Sequence, residues 1–266
     1  MTELRLFSWN VNGLRSVMKK GLLTFLELHR PDVLCLQEIR ASASQIDLEP
    51  LLALGYSLDF HPAERPGYSG VATFSREPPQ RVVLGMGEPR FDTEGRVLIT
   101  EHRGLTVFNV YFPNAGRDLS RLDYKTDFYR SLKRVVDARR DAGEAVIICG
   151  DWNTAHQNVD IENWRGNLKA SGFTPHERAV LDEYLEQGYV DAFRALHPET
   201  KGAYSWWSNR PGVREKNVGW RIDYHAVDVA TMPSVRAARL HPEVRGSDHC
   251  PVELVIEPKP SQVSRS

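Results

Sequence analysis

"AVIICGDWNTA", residues 145–155, decides how this chain is read. Its apolar residues follow one another without polar alternation, the mark of a strand covered on both faces. The run meets Gly150, and then Asp151, Trp152 and Asn153 arrive in succession. A buried strand that ends by presenting an acid and an amide at its carboxyl tip suggests chemistry there. Gly150 is expected to permit the turn that aims Asp151.

Outward from this stretch, strand signals are frequent: "LRLFSW", "DVLCLQ", "YSLDF", "GVATFS", "RVVLG", "RVLIT", "LTVFNVYF", "YHAVDVA" and "VELVIE". Helical periodicity appears over 14–29, 120–141 and 175–187, with Ser120 placed to cap the second. Strands apolar on both faces, "VLCL" and "VIIC" above all, call for cover on each side. The expectation is an α/β fold: a four-layer sandwich of two mixed sheets packed face to face, flanked by helices. There is no GxGxxG after a strand and no GxxxxGK[ST] loop, which argues against a Rossmann fold or a P-loop. One domain is expected over 1–257, and "EPKPSQVSRS" points to a flexible tail over 258–266. "LFSWNVNG" and "IICGDWNT" echo one another, as if two strands deliver similar groups to one place.

Composition is that of a water-soluble globular chain: 266 residues, 41% hydrophobic, 26% charged, formal net charge −1. No apolar run is long enough to span a bilayer, and no signal peptide is evident. A cytoplasmic protein is expected, nucleoid-associated if bacterial, with no membrane contact. Cys35, Cys149 and Cys250 have no metal spacing and read as reduced, buried residues. A net charge near zero does not mark a nucleic-acid binder, but local distribution decides. Basic residues cluster around Arg15, Lys19 and Lys20, from Arg117 to Arg140, and from Arg210 to Arg221. The middle cluster is interleaved with acids, as on a solvated helix face.

Other strands also end in polar groups: Asn10 and Asn12, Gln37 and Glu38, Tyr111 and Asn114. Asp223 precedes one apolar strand, and Asp248 with His249 precedes another. A lone Asn or Asp at such a place is ordinarily a turn former. Converging on one edge of a sandwich, they read as a site. Asn10, Glu38, Asp151, Asn153, Asp223, Asp248 and His249 form an acid–amide–imidazole set with too few histidines and no paired cysteines for zinc. Oxygen donors suit a hard cation, Mg²⁺ or Mn²⁺, and such an ion is commonly shared with a substrate phosphate.

At these residues the chain resembles the exonuclease III family of abasic-site endonucleases, within the endonuclease/exonuclease/phosphatase fold. The motifs that carry the resemblance are "SWNVNGLRS", "LCLQE", "GYSGVATFS", "FDTEGR", "YFPNAGR", "CGDWNTAHQNVDIENWRGN", "GFTPHER", "NVGWRIDY" and "GSDHCP", from residue 6 to residue 251. The resemblance implies hydrolysis of the phosphodiester 5′ to an abasic site in duplex DNA, with 3′–5′ exonuclease and 3′-phosphatase or phosphodiesterase activity, in base excision repair. The alternatives are a mainly 3′-end-processing exonuclease, or another phosphoesterase of the same fold. A DNA-binding protein with a dead site is disfavoured, because every expected catalytic residue type is present. The partner implied is double-stranded DNA with abasic sites or 3′ ends, bound by a monomer with no obligate protein partner.

The resemblance also implies roles. Glu38 is the principal metal ligand, with Asn10 and Asp248 close by and Asp151, Asn153 and His249 around it. Asp151 orients or deprotonates the attacking water, or a metal-bound hydroxide serves instead. Asn153 holds Asp151 or the phosphate, His249 contacts the scissile phosphate, and Asp223 fixes its tautomer and charge. Tyr111 donates to the phosphate. Asn12, which stands where some relatives carry Asp, joins Asn114 and Arg117 on the DNA side. Trp206, Trp220 and Ile222 wall a pocket for an extruded sugar that lacks its base, while Trp207 is expected in the core. Arg210 either enters the duplex or contacts a phosphate. Gly166 leaves space for duplex DNA beside the site.

Overall fold

The computed structural model describes residues 3–258. Its first six-stranded sheet has the order β13-β14-β1-β2-β4-β3. The strands are β1 (Leu4–Asn10), β2 (Val33–Gln37), β3 (Ser57–His61), β4 (Val71–Ser75), β13 (Val235–Leu240) and β14 (Val252–Ile256). The second has the order β5-β6-β7-β8-β12-β9, from β5 (Arg81–Leu84), β6 (Val97–His102), β7 (Leu105–Tyr111), β8 (Ala145–Asp151), β9 (Tyr189–Asp191) and β12 (Asp223–Asp228). Each sheet has one parallel pair at its centre, β1 with β2 and β7 with β8; the other ladders are antiparallel.

Apolar residues of both sheets, among them Leu6, Cys35, Val107, Ile147, Val227 and Leu254, form the core between them. On its other face the first sheet packs Phe7, Trp9, Leu34 and Leu36 against α1 (Leu14–Lys20), α2 (Leu22–His29) and α3 (Glu49–Ala53). The second packs Phe108, Val110, Ile148 and Trp152 against α4 (Pro89–Asp92), α5 (Leu122–Asp141) and α6 (Pro175–Leu185). The four layers are those expected from the two-sided strands.

The side-chain period of two then places the polar ends. On the face between the sheets, β1 reads Leu4, Leu6, Ser8, Asn10, and β8 reads Ile147, Cys149, Asp151. On β7 the face is Leu105, Val107, Asn109, Tyr111. The space between the sheets is therefore apolar at one end and polar at the other. Gly150 lies inside β8, not in a turn: at φ 143° it lets β8 lie against β7, where a Cβ would fall 1.8 Å from the Val110 carbonyl oxygen. The turn itself is made by Asn153, at φ 49°.

Some local expectations are corrected. The helical stretch 14–29 is two helices, because Gly21 at φ 120° ends α1 and starts α2. Ser120 does not cap α5; Arg121 stands at the cap without a side-chain bond, and Ser120 bonds Asp118 in the preceding turn. β9 and β13, too short or too charged to stand out, were not anticipated, nor was α7 (Ala192–Leu196). Pro258 is buried at the end of the sandwich, and the rest of the expected tail lies outside the described residues. Cys35, Cys149 and Cys250 are free and buried. Among the described residues, no helix is long and apolar enough to cross a membrane.

Candidate active site

Asp151 is 2% exposed, and each of its oxygens is held by an amide. Asn10 Nδ2 donates to Oδ2 at 2.8 Å, and the Asn153 backbone N–H donates to Oδ1 at 2.8 Å. Asn10 also donates to Glu38 Oε2 at 3.1 Å, so one amide bridges two carboxylates from opposite sheets. The echo between the ends of β1 and β8 is thus a real convergence. Trp152 points the other way, fully buried and stacked on Phe112 with centroids 4.4 Å apart. This indole anchors the strand end in the outer core; truncating such a side chain to Ala costs about 3–5 kcal/mol.

Register sets the neighbours of Asp151. Tyr111 pairs with it from β7 and Asp223 from β12, so the three lie side by side across one sheet. Two acids directly opposite one another repel. His249 sits between them: Nδ1 is 2.9 Å from Asp223 Oδ2, and Nε2 is 3.8 Å from Asp151 Oδ2. Burial pulls the imidazole toward neutrality, but Asp223 and Asp151 outweigh it and raise its pKa to about 10. Burial lifts Asp151 to about 7, with Asp223 adding and His249 opposing. Tyr111 is pushed up, first by burial and then by Glu38, which keeps its phenol protonated.

The sequence did not mark Ser205. This fully buried hydroxyl donates to Asp223 Oδ2 at 2.6 Å and accepts the backbone N–H groups of Ile222 and Asp223, both at 3.1 Å. It therefore fixes the acid that orients His249. Its only sequence signal is its place beside Trp206. Arg40 was missed as well; it pairs with Glu38 through Nε at 3.0 Å. Arg96, 2% exposed, lies over the Tyr111 ring at 4.8 Å and donates to Tyr68 Oη and the Tyr111 carbonyl.

Asp248 forms a corner rather than joining the Asn10–Glu38 bridge. Asn12 Nδ2 donates to its Oδ1 at 2.9 Å, and Trp206 Nε1 donates to its Oδ2 at 3.2 Å. These bonds and His249 hold its pKa low despite burial. Asn114 reaches the site through Asn153 Oδ1 at 3.0 Å.

Trp206, Trp220 and Ile222 come together in one cluster. β10 (Trp206–Trp207) pairs with β11 (Gly219–Trp220), setting Trp206 edge-on to Trp220 at 6.0 Å. Both pack on buried Ile222, Ile161 and Phe173, and Trp206 also neighbours the His249 ring at 6.5 Å. Trp207 faces the interior with Tyr204 and Cys250. Arg210 is exposed, has no side-chain partner among the described residues, and lines a cavity of about 460 Å³ shared with Asn12, Arg214, Arg245 and Asp248. In the middle basic cluster the α5 cations pair with acids: Arg130 with Glu183, Lys133 with Asp137, Arg139 with Glu144. Exposed Arg117 has no such partner among the described residues. A Cβ on Gly166 would meet nothing within 4 Å, so this position opens on space.

Asp151, Asp223 and His249 offer ligand atoms within 4.8 Å of one another, a group compatible with a metal ion. With both ring nitrogens turned to acids, His249 here bridges two carboxylates. The donors that remain for a cation are oxygens, chiefly of Glu38, whose carboxylate is 15% exposed. Hard oxygens without cysteine fit a hard dication.

Residues 7–249 match the Endonuclease/Exonuclease/phosphatase family. The exodeoxyribonuclease of Bacillus subtilis is 42% identical over 254 residues, spanning 95% of this chain and 99% of the relative. The DNA-(apurinic or apyrimidinic site) endonuclease of Dictyostelium discoideum is 38% identical, spanning 96% of this chain and 71% of its own length. Among solved structures, an AP endonuclease from Leishmania major superposes with a TM-score of 0.87 at 32% identity, covering 96% of this chain and 88% of that one. With the sandwich, the site and these likenesses in agreement, this chain belongs to the endonuclease/exonuclease/phosphatase family, among its DNA-repair nucleases.

Proposed function

We propose that this chain hydrolyses the phosphodiester on the 5′ side of an abasic site in duplex DNA, and that the same site trims 3′ ends. The observation that carries the reading is Asp151: buried, cradled by two amides, and set within 3.8 Å of an imidazole that Asp223 holds charged. Phosphodiester hydrolysis needs an aligned nucleophile, neutralised phosphoryl charge and help for the leaving oxygen. Asp151 is the candidate to align water or take its proton. The His249 imidazolium and the Tyr111 phenol are candidates to donate to phosphoryl oxygens. Asn153 and Asn10 keep Asp151 in place, and Ser205 with Asp223 keeps His249 in place.

Glu38 and Asn10, with Asp151, Asn153, Asp248 and His249 around them, are the residues that would hold Mg²⁺ or Mn²⁺. A bound dication neutralises phosphoryl charge and stabilises the departing oxygen. Trp206, Trp220 and Ile222 beside His249 are suited to an extruded abasic sugar, which costs less to unstack than a complete nucleotide. Arg117 and Arg210, exposed and unpaired among the described residues, are suited to the duplex on either side, with Asn12 and Asn114 nearer the site.

The deciding assay is incision of a duplex with one abasic-site analogue, in Mg²⁺, Mn²⁺ or EDTA, beside an intact duplex with a recessed 3′ end. Metal-dependent cleavage 5′ to the lesion, faster than end digestion, supports the reading. Rapid end digestion with little incision favours a 3′-processing exonuclease, consistent with the activity in the Bacillus relative's name.

A further inference from the structure

A buried ion pair lies against the loop that follows β8. Lys125 of α5 and Glu177 of α6 are 1% and 3% exposed, and Nζ is 2.7 Å from Oε1. The same ammonium donates to the Asn153 carbonyl at 2.7 Å. Glu177 also receives the Gly172 N–H at 2.8 Å, the Thr174 N–H at 3.1 Å and the Thr174 hydroxyl at 2.8 Å. One charge pair thus joins the Asp151 loop, α5, and the segment leading into α6.

Capping explains Glu177, because Thr174 and Glu177 form a capping box at the start of α6. It does not explain Lys125. Burying an ammonium carries a desolvation cost that apolar packing avoids. What an apolar side chain cannot do is hold a carbonyl. The carbonyl held belongs to Asn153, a non-glycine residue at φ 49°, whose N–H and Nδ2 reach Asp151 at 2.8 and 3.3 Å. Backbone conformations of this kind persist when their surroundings over-determine them. The pair also fixes Gly172, which is wedged so tightly that a Cβ would lie 2.9 Å from the Asn153 carbonyl oxygen and 3.3 Å from the Trp220 ring. The loop that aims Asp151 and the aromatic wall are thereby held in one register.

We propose that Lys125, backed by Glu177, is a positioning residue for phosphodiester hydrolysis: it locks Asn153 and so aims Asp151. The inference rests on the nuclease reading above. Its test uses the full chain as wild type, Lys125→Met, Lys125→Arg and the double variant Lys125→Met/Glu177→Gln. In the double variant glutamine keeps the capping box and no charge is left unpaired. Steady-state incision of an abasic-analogue duplex with Mg²⁺ is measured beside denaturant midpoints.

For Lys125→Met, kcat is expected to fall about 10²-fold with KM nearly unchanged, the scale of a small misplacement of a reacting group. Lys125→Arg, which still donates to both oxygens, restores most of the loss. The double variant regains the wild-type midpoint while its kcat stays low. Wild-type kcat in the double variant, or in folded Lys125→Met, overturns the inference and leaves the pair a purely structural clamp. If Lys125→Met does not fold, the double variant decides alone. If the wild-type chain itself fails to cut, the nuclease reading falls and takes this inference with it.

Discussion

Asp151 and Asp223 occupy directly paired positions on the β8–β12 ladder, and His249 is set against both. Two buried acids side by side cannot both stay charged without a cation between them. The imidazole supplies it, and the acids in turn keep the imidazole protonated. The ladder thus sets Asp151, lifted first by burial, beside an imidazolium that both acids support.

Replacing Asp151 by Asn keeps the shape but removes the charge and the proton acceptor, and leaves one carbonyl oxygen for the two cradling donors. Incision is expected to fall about 10²–10⁴-fold, the usual share of general-base catalysis, with duplex binding retained. Gel-shift titration beside single-turnover cleavage checks it; near-normal turnover removes Asp151 from the mechanism.

The pH profile of incision should be bell-shaped. Asp151 must lose its proton to act, so the rate rises as pH passes about 7. His249 must keep its proton to donate, so the rate falls as pH approaches about 10. The limbs belong to the coupled pair rather than to either residue alone. Asp223→Asn removes the largest support of the imidazolium, and the alkaline limb should move toward neutrality. An alkaline limb that stays in place in this variant shows that Asp223 does not set the charge of His249.

Gly150→Ala should be among the most damaging single-methyl changes in the chain. The new carbon would fall 1.8 Å from the Val110 carbonyl oxygen, at a backbone angle that L-residues rarely adopt. A loss of about 3 kcal/mol or more, or failure to fold, is expected. A denaturant midpoint equal to wild type would contradict the close approach of β7 and β8.

Acid stability should depend on Glu253. This buried carboxylate accepts Arg5 at 2.7 and 2.9 Å and His241 at 3.1 Å, which hold its pKa at about 2 despite burial. A lowered acid stabilises the fold above its unfolded value and stops doing so as pH falls toward 2. Glu253→Gln should therefore cost on the order of 1–2 kcal/mol near pH 7, discounted for screening, and almost nothing near pH 2. Equal losses at both pH values would show that the ion pairs are not the cause.

Arg210 is an exposed cation on the rim of the Asn12–Asp248 cavity. Arg210→Ala should weaken binding of abasic duplex more than of intact duplex if the side chain enters the helix. Equal weakening, with a smaller salt dependence, marks a phosphate contact instead. Parallel titrations at two salt concentrations separate the two.

The chain order of residues determined much of this protein. Two-sided strands such as "VIIC" required cover on each face and gave the layers. The polar ends of β1, β7 and β8, and Asp223 at the start of β12, were readable because alternation carries a strand's last residues onto the face its first residues occupy. What sequence could not supply was partnership across distance. Asn10 meets Asp151 across 141 positions, and Lys125 meets Glu177 across 52. Ser205 and Arg40 look like ordinary loop residues until folding puts Asp223 and Glu38 within their reach. Gly150 looked like a turn residue, yet only the nearness of β7 shows why a side chain has no room. Local patterning fixes which face a residue shares, because the backbone period is local; ladder register and sheet packing decide which groups meet, because those contacts form only when distant segments close on one another.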